Sequence, residues 1–196
     1  MALIDKLTAI ANAVRSKTGK TDSMTLDQMA TEIANIQNGS GDFNAIIERT
    51  STNPTLPDDL KSIDDYAFYC YTTLDNISIP DTVASIGTFA FSKCTNLSLS
   101  SLPTGLTSIG DNAFYECNKI TEITIPAGVT TIGSEAFASC TGLTTVTFKG
   151  KPTTMLADIF KYSTNLTTIN VPWAEGEVTS APWGATNATV NYNYTA

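Results

Sequence analysis

The sequence predicts an α+β repeat solenoid: five 23-residue units stacked through a parallel β-sheet and preceded by a short N-terminal helical hairpin. Three observations predict it. Prolines stand at Pro57, Pro80, Pro103, Pro126 and Pro172, separated by 23 residues or twice 23, with Lys149 at the one position of the series that lacks proline. Each interval repeats one apolar pattern, and residues 2–36 follow a different, helical period. A fixed period of this size marks a stack in which each unit buries its apolar side only against its neighbours.

Residues 2–17 place Leu3, Ile4, Leu7, Ile10, Ala11 and Val14 on one helical face, and Gly19 ends that segment. Thr25, with Gln28 three residues on, is a capping-box start for a second helix carrying Leu26, Met29, Ile33 and Ile36. Such a hairpin over residues 1–36 buries too little to be stable alone. Residues 37–42, QNGSGD, read as a flexible linker that separates it from the stack, so its two apolar stripes are expected to meet copies of the chain or another protein. Residues 43–56 read as a capping strand over the open N-terminal edge of the first unit. The solenoid proper spans 57–171. Residues 172–196 read as a C-terminal cap, with Trp173 and Trp183 flanking a polar turn and the alternation Val190, Tyr192, Tyr194 forming a last strand.

Within a unit, Leu60, Val83, Leu106 and Val129 precede Ile63, Ile86, Ile109, Ile132 and Met155 by three residues or begin that pattern, which suits a short strand. An Ala-Phe pair follows (Phe68, Phe91, Phe114, Phe137; Ile159-Phe160 in the last unit), then an inward residue three further on and another after three more. That spacing fits one or two helical or 3₁₀ turns. The unit ends in strict alternation, as in Ile123-Thr124-Ile125, with the polar residue facing water. Gly87, Gly110 and Gly133 are read as tight bends. The second unit departs from the pattern at Leu97–Leu102, where local distortion is expected.

The wording S-I-G-x-x-A-F-x-x-C-x-x-L-x-x-I-x-I-P, clearest at Ser108–Pro126, closely resembles the BspA-like leucine-rich repeats, and the resemblance covers residues 57–171. It implies a scaffold for binding surfaces without specifying a partner. The N-terminal segment MALIDKLTAIANAVRSKTGKTDSMTLDQMATEIANI and the ending INVPWAEGEVTSAPWGATNATVNYNYT resemble the corresponding ends of phage tail and fibre proteins of Firmicutes phages. The likeness implies a virion protein at the particle surface, made in host cytoplasm. Its helices would attach it to other virion proteins and assemble it as a homo-oligomer, with a trimer favoured. Its solenoid would be displayed for recognition of a host-surface glycan or protein. The alternative is a purely structural component, such as a head decoration or spacer protein. A bacterial adhesin fits less well, because the N-terminus lacks the plan of a secretory signal.

The chain has no histidine, which excludes Ser-His-Asp and Cys-His nucleophile arrangements, and no glycine-rich phosphate loop, so an enzyme is not expected. Asp58, Asp59, Asp64 and Asp65 occupy turn positions that suit local hydrogen bonding better than acid-base or calcium chemistry. No metal or cofactor is expected. A net charge of −8 without a basic cluster argues against a nucleic-acid partner, and no apolar run is long enough to span a membrane. Cys94, Cys117 and Cys140 share one inward position and read as buried, free packing residues. What remains is the surface. Tyr66, Tyr69, Phe89, Tyr115 and Tyr162 point outward around the Ala-Phe turn and form a candidate contact stripe. Trp173 and Trp183 are read as cap residues with an exposed aromatic contact as the alternative. A second, polar band comes from outward residues of the last strands, among them Ser78, Thr124, Thr147 and Asn170.

Overall fold

The computed structural model describes residues 51–179 and 181–195. The expected hairpin (1–36), the linker (37–42) and residues 43–50 of the capping strand lie outside the described residues. Within them the protein is an all-parallel β-solenoid of about six turns, with nine short strands and no helix. β1 (Ser62–Ile63), β2 (Ser85–Ile86), β3 (Ser108–Ile109), β5 (Thr131–Ile132) and β7 (Thr154–Met155) form one sheet in that order. β4 (Glu122–Ile125), β6 (Thr145–Phe148), β8 (Thr168–Asn170) and β9 (Thr189–Asn191) form the other. Register steps by the repeat: Ser62 faces Ser85, Ser85 faces Ser108 and Ile123 faces Val146.

Inward residues of both sheets and of the turn between them make one core. Its axis is a column of phenylalanines. Phe68, Phe91, Phe114 and Phe137 stack face to face with centroids 4.9, 5.3 and 5.0 Å apart and ring planes within 8° of parallel. Phe160 continues the column at 6.1 Å and 28°. The spacing is that of hydrogen-bonded strands, so a residue repeated every coil must stack on its own copies. Cys94, Cys117 and Cys140 form a parallel column, fully buried, each Sγ donating to the carbonyl of the previous coil's phenylalanine (Phe68, Phe91, Phe114) at 3.0 to 3.1 Å.

The segment after the first strand is neither α-helix nor 3₁₀-helix. Residues two before and two after each phenylalanine adopt left-handed backbone: Tyr66 and Cys70, Phe89 and Lys93, Asn112 and Glu116, Glu135 and Ser139, Asp158 and Tyr162, all with φ between 53° and 62°. Alternate amides are thereby turned along the stack. Tyr66, Phe68 and Cys70 donate to the carbonyls of Thr88, Ala90 and Ser92 at 3.0, 2.7 and 2.8 Å, and the pattern recurs in each coil. A continuous helix would have consumed those donors internally. The left-handed conformation costs about 1–2 kcal/mol per residue for a side chain other than glycine, and the inter-coil ladder offsets it.

The repeat glycines also differ from the expected bends. Gly110 has ordinary backbone, but an added Cβ would lie 2.6 Å from the Thr88 amide nitrogen and 2.7 Å from the Gly87 carbonyl carbon. Glycine is required there by the close approach of neighbouring coils. Side chains lace the coils as well. Thr107, Thr130 and Thr153 donate hydroxyls to the carbonyls of Ala84, Thr107 and Thr130, and Asn96, Asn165 and Asn187 donate amides to Thr72, Thr141 and Thr164.

Both ends are closed by degenerate turns. Thr52 accepts the amides of Asp75 and Asn76, Tyr71 donates its hydroxyl to the Ser51 carbonyl at 2.6 Å, and Thr55 pairs in parallel with Ser78. At the other end β9 adds a strand beyond β8, and Phe160 donates its amide to the Trp183 carbonyl. The segment after residue 171 is thus a further, irregular coil. Its strand ends at Asn191, short of the alternation through Tyr194.

Candidate functional site

The outward aromatic residues separate into two groups. Tyr66, 53% exposed, stacks on Phe89 with centroids 5.2 Å apart and planes 14° from parallel. Tyr69 meets both edge-on, at 5.7 Å from Tyr66 and 6.3 Å from Phe89. The three rings form one cluster on the first two coils because Tyr66 and Phe89 share a register position and the coil spacing is a stacking distance. The left-handed backbone of both residues turns the rings outward, away from the phenylalanine column. Neighbouring Cys70 hydrogen-bonds the Tyr69 phenol and raises its pKa. Tyr115 is half-buried two coils beyond Tyr69, at the equivalent position. Between them lies Ser92, fully buried, whose hydroxyl has no hydrogen-bond partner.

Tyr162 stands apart near the C-terminal end. It is 67% exposed, with the Lys161 ammonium 5.4 Å from its ring centroid. That lysine also bonds Asp158 at 3.0 Å and lies 3.9 Å from Glu135; the bond to Asp158 raises its pKa.

Trp173 and Trp183 are core residues, 4% and 2% exposed, so the surface contact considered for them is unavailable. They meet edge-to-face at 6.3 Å and pack on Phe148 at 5.4 and 6.0 Å, closing the last coil. The Trp183 indole donates to the Thr179 carbonyl, and the Trp173 nitrogen is buried without a partner. Asn170, expected in the outward polar band, is 7% exposed. Its side chain donates to Thr147 Oγ1 at 3.2 Å and accepts from Asn191 at 2.8 Å, a bridge along one face of three adjacent strands that covers it from both sides. The acidic first unit is used locally: Asp64 accepts from Ser62 and Asp65 caps the Thr88 amide at 2.7 Å. Asp81 accepts the Thr104 amide in the same way, which lowers its pKa. Among the described residues no group of His, Cys, Asp and Glu side chains could hold a metal ion.

The distortion expected in the second unit has a larger consequence than the sequence indicated. Ser100 stands in register with the inward residues Ile123, Val146 and Ile169, and unlike them it is exposed. A hydroxymethyl group cannot fill that space, so the second sheet starts only at β4. The first two coils contribute isolated bridges at Ser78 and Ser101. The alternation Ile77-Ser78-Ile79 forms no strand for the same reason: its neighbour across the gap is irregular. An open groove of about 1090 Å³ results, reaching from Asn76 to Lys149.

Fold and surface together define a leucine-rich-repeat scaffold. The chain matches the BspA type leucine rich repeat region over residues 49–180 in six copies, and it belongs to that family. Similar solved structures include the leucine-rich repeat protein of Treponema pallidum, 27% identical with a TM-score of 0.61, over 74% of this chain and 70% of that one. A leucine-rich repeat protein from Bacteroides ovatus is 38% identical with a TM-score of 0.56, over 63% of this chain but only 32% of its own length. The pneumococcal vaccine antigen PcpA shares the fold at 22% identity and a TM-score of 0.55, over 65% of this chain and 32% of that one. No curated protein sequence matches the chain.

Proposed function

We propose that this protein is a component of a bacteriophage tail, baseplate or fibre whose solenoid presents a surface for recognition of the host cell. The phage assignment is supported by the two chain ends, residues 1–36 and 169–195, which resemble those of phage tail and fibre proteins on either side of the repeats. Recognition is supported by the Tyr66–Tyr69–Phe89 cluster, the observation that carries this reading. Exposed tyrosines are usual anchors of binding surfaces. These three lie outside the phenylalanine column that holds the coils together, and two of them occupy strained left-handed backbone. Leucine-rich repeats commonly serve as interaction scaffolds rather than catalysts. Residues 1–36, whose sequence pattern predicts two apolar stripes with too little core to be stable alone, are the part suited to attachment and to assembly of a homo-oligomer, with a trimer favoured.

The test is cell labelling by the full chain fused to a fluorescent reporter, over a panel of Firmicutes. Wild type should label its host, and assembly should strengthen labelling through multivalency. Tyr66→Ser, Tyr69→Ser and Tyr115→Ser combined should reduce labelling while leaving the melting transition in place. Labelling of no member of the panel would overturn the recognition reading in favour of a purely structural particle component. A full chain that stays monomeric at micromolar concentration in sedimentation would overturn the assembly reading.

A further inference from the structure

The groove over the second unit is separate from the aromatic cluster, and its chemistry does not depend on the reading just given. Its lining comes from successive coils, and one register position repeats through it: Ser78, Ser101 and Thr124 follow one another at the 23-residue period, and Ser101 pairs in parallel with Thr124. Hydroxyl groups therefore recur at the inter-coil step of about 4.8 Å, with Asn76 and Glu122 beside them, and the three steps from the first coil to Lys149 make a trough roughly 14 Å long. Leu99 and Ile79, both half-exposed, give it short apolar stretches between the hydroxyls.

We propose that this trough binds a linear, uncharged oligosaccharide lying along the stack. One sugar residue is about as long as one inter-coil step, so successive sugars meet the Ser78, Ser101 and Thr124 hydroxyls on successive coils, with the Asn76 amide and the Glu122 carboxylate beside them. The half-exposed Leu99 and Ile79 suit the C–H faces of pyranose rings. An added peptide strand fits poorly. It would have to lie parallel to the coil strands, between the first two coils. Those coils are already paired at β1 and β2, with Phe68 stacked on Phe91 at 4.9 Å, which leaves no room for another strand. An anionic polymer is disfavoured by the net charge of −8 and by Glu122 and Asp81 in the lining. The site exists because Ser100 replaces the isoleucine or valine of later coils, a replacement that gives up core packing and opens the surface.

That replacement supplies the test. The full chain is titrated with cellotetraose, chitotetraose and maltotetraose, with glucose and N-acetylglucosamine as length controls, and binding is followed by NMR. At least one tetrasaccharide should bind at least about tenfold more tightly than its monosaccharide, since only the longer chain reaches several coils. Ser100→Ile should restore the inward residue, melt at or above the wild-type temperature and weaken binding by at least about tenfold. Ser98→Tyr, at an exposed position, should block the trough without touching the core. The aromatic triple variant should bind as wild type does, which separates this site from the cell-labelling surface. The proposal is overturned if no tetrasaccharide binds, if both groove variants bind as well as wild type, or if the variants abolish binding only of a neutral Ser/Thr-rich peptide.

Discussion

Phe114→Ala is the most direct probe of how the solenoid is held together. Phe114 is fully buried, and both ring faces are covered, by Phe91 at 5.3 Å and 8° and by Phe137 at 5.0 Å and 4°. Burying such a side chain is worth about 1.5–3 kcal/mol by transfer alone, and each stacked pair adds about 0.5–1.5 kcal/mol beyond its area. The coils on either side are fixed by backbone ladders and cannot collapse into the void. The expected cost is therefore near the upper end of the roughly 3–5 kcal/mol seen for Phe→Ala in cores. Phe160→Ala should cost less, because Phe160 stacks on one phenylalanine only, at 6.1 Å and 28°. Thr124→Ala, on the outer face of β4, should cost under about 1 kcal/mol. Urea unfolding followed by tryptophan fluorescence measures all three. A lowered m-value for Phe114→Ala would show the stack uncoupling at its middle, as nearest-neighbour architectures allow. Equal costs for Phe114→Ala and Thr124→Ala would refute the inside-outside assignment.

Gly110→Ala should destabilise the fold by about 1–3 kcal/mol, because its Cβ would meet backbone atoms of the preceding coil at 2.6 and 2.7 Å; the same urea titration checks it, and a neutral result would mean the coils can part at that point. Burial raises the pKa of Cys117 and pushes that of Cys140 up to about 12. Both thiols should therefore react slowly with a thiol reagent in native protein, after half-exposed Cys70, and fully on unfolding. A raised folded-state pKa favours the native state below the unfolded value, so the contribution of Cys140 should be constant up to about pH 9 and be lost as pH rises toward about 12. Rapid native labelling, or stability that does not fall in that window, would contradict it.

The repeat was legible because stacking forces each coil to offer the same side chain to its copy. The phenylalanine column, the cysteine column and the end of each unit, as at Ile123-Thr124-Ile125, are direct images of the 23-residue period. The turn backbone was not legible. A spacing of three between Phe114, Cys117 and Ile120 is shared by 3₁₀ turns and by the turn that occurs, and the two differ only in where the amides point. Side-chain identity does not betray that difference: Tyr66, Lys93 and Glu135 all sit at positive φ, held there by inter-coil bonds and not by propensity. The role of Gly110 was misread for a related reason, since a close approach between coils leaves the same residue in the sequence as a bend does.

The surface features were legible to different degrees because they arise differently. Tyr66, Tyr69 and Phe89 could be placed outside from period alone, but their gathering into one cluster depends on neighbouring coils lying a stacking distance apart. Trp173 and Trp183 belong to a coil whose spacing departs from the repeat, so the period could not show whether they faced inward. The groove arises from the opposite situation, a coil that keeps the period and changes residues within it, with Leu99 in place of a polar outward residue and Ser100 in place of an inward one. Reading Ser100 against Ile123, Val146 and Ile169 identifies the missing inward side chain, yet the size of the opening follows from its neighbours. Losing one inward residue leaves Ile77–Ile79 without a partner strand, and the second sheet then cannot begin before β4. The other sheet runs unbroken through the same coils, from β1 to β7, so the loss is confined to the face on which Ser100 lies. A local serine thus shapes the lateral face of two whole coils, which is why the groove extends well beyond the residue that creates it.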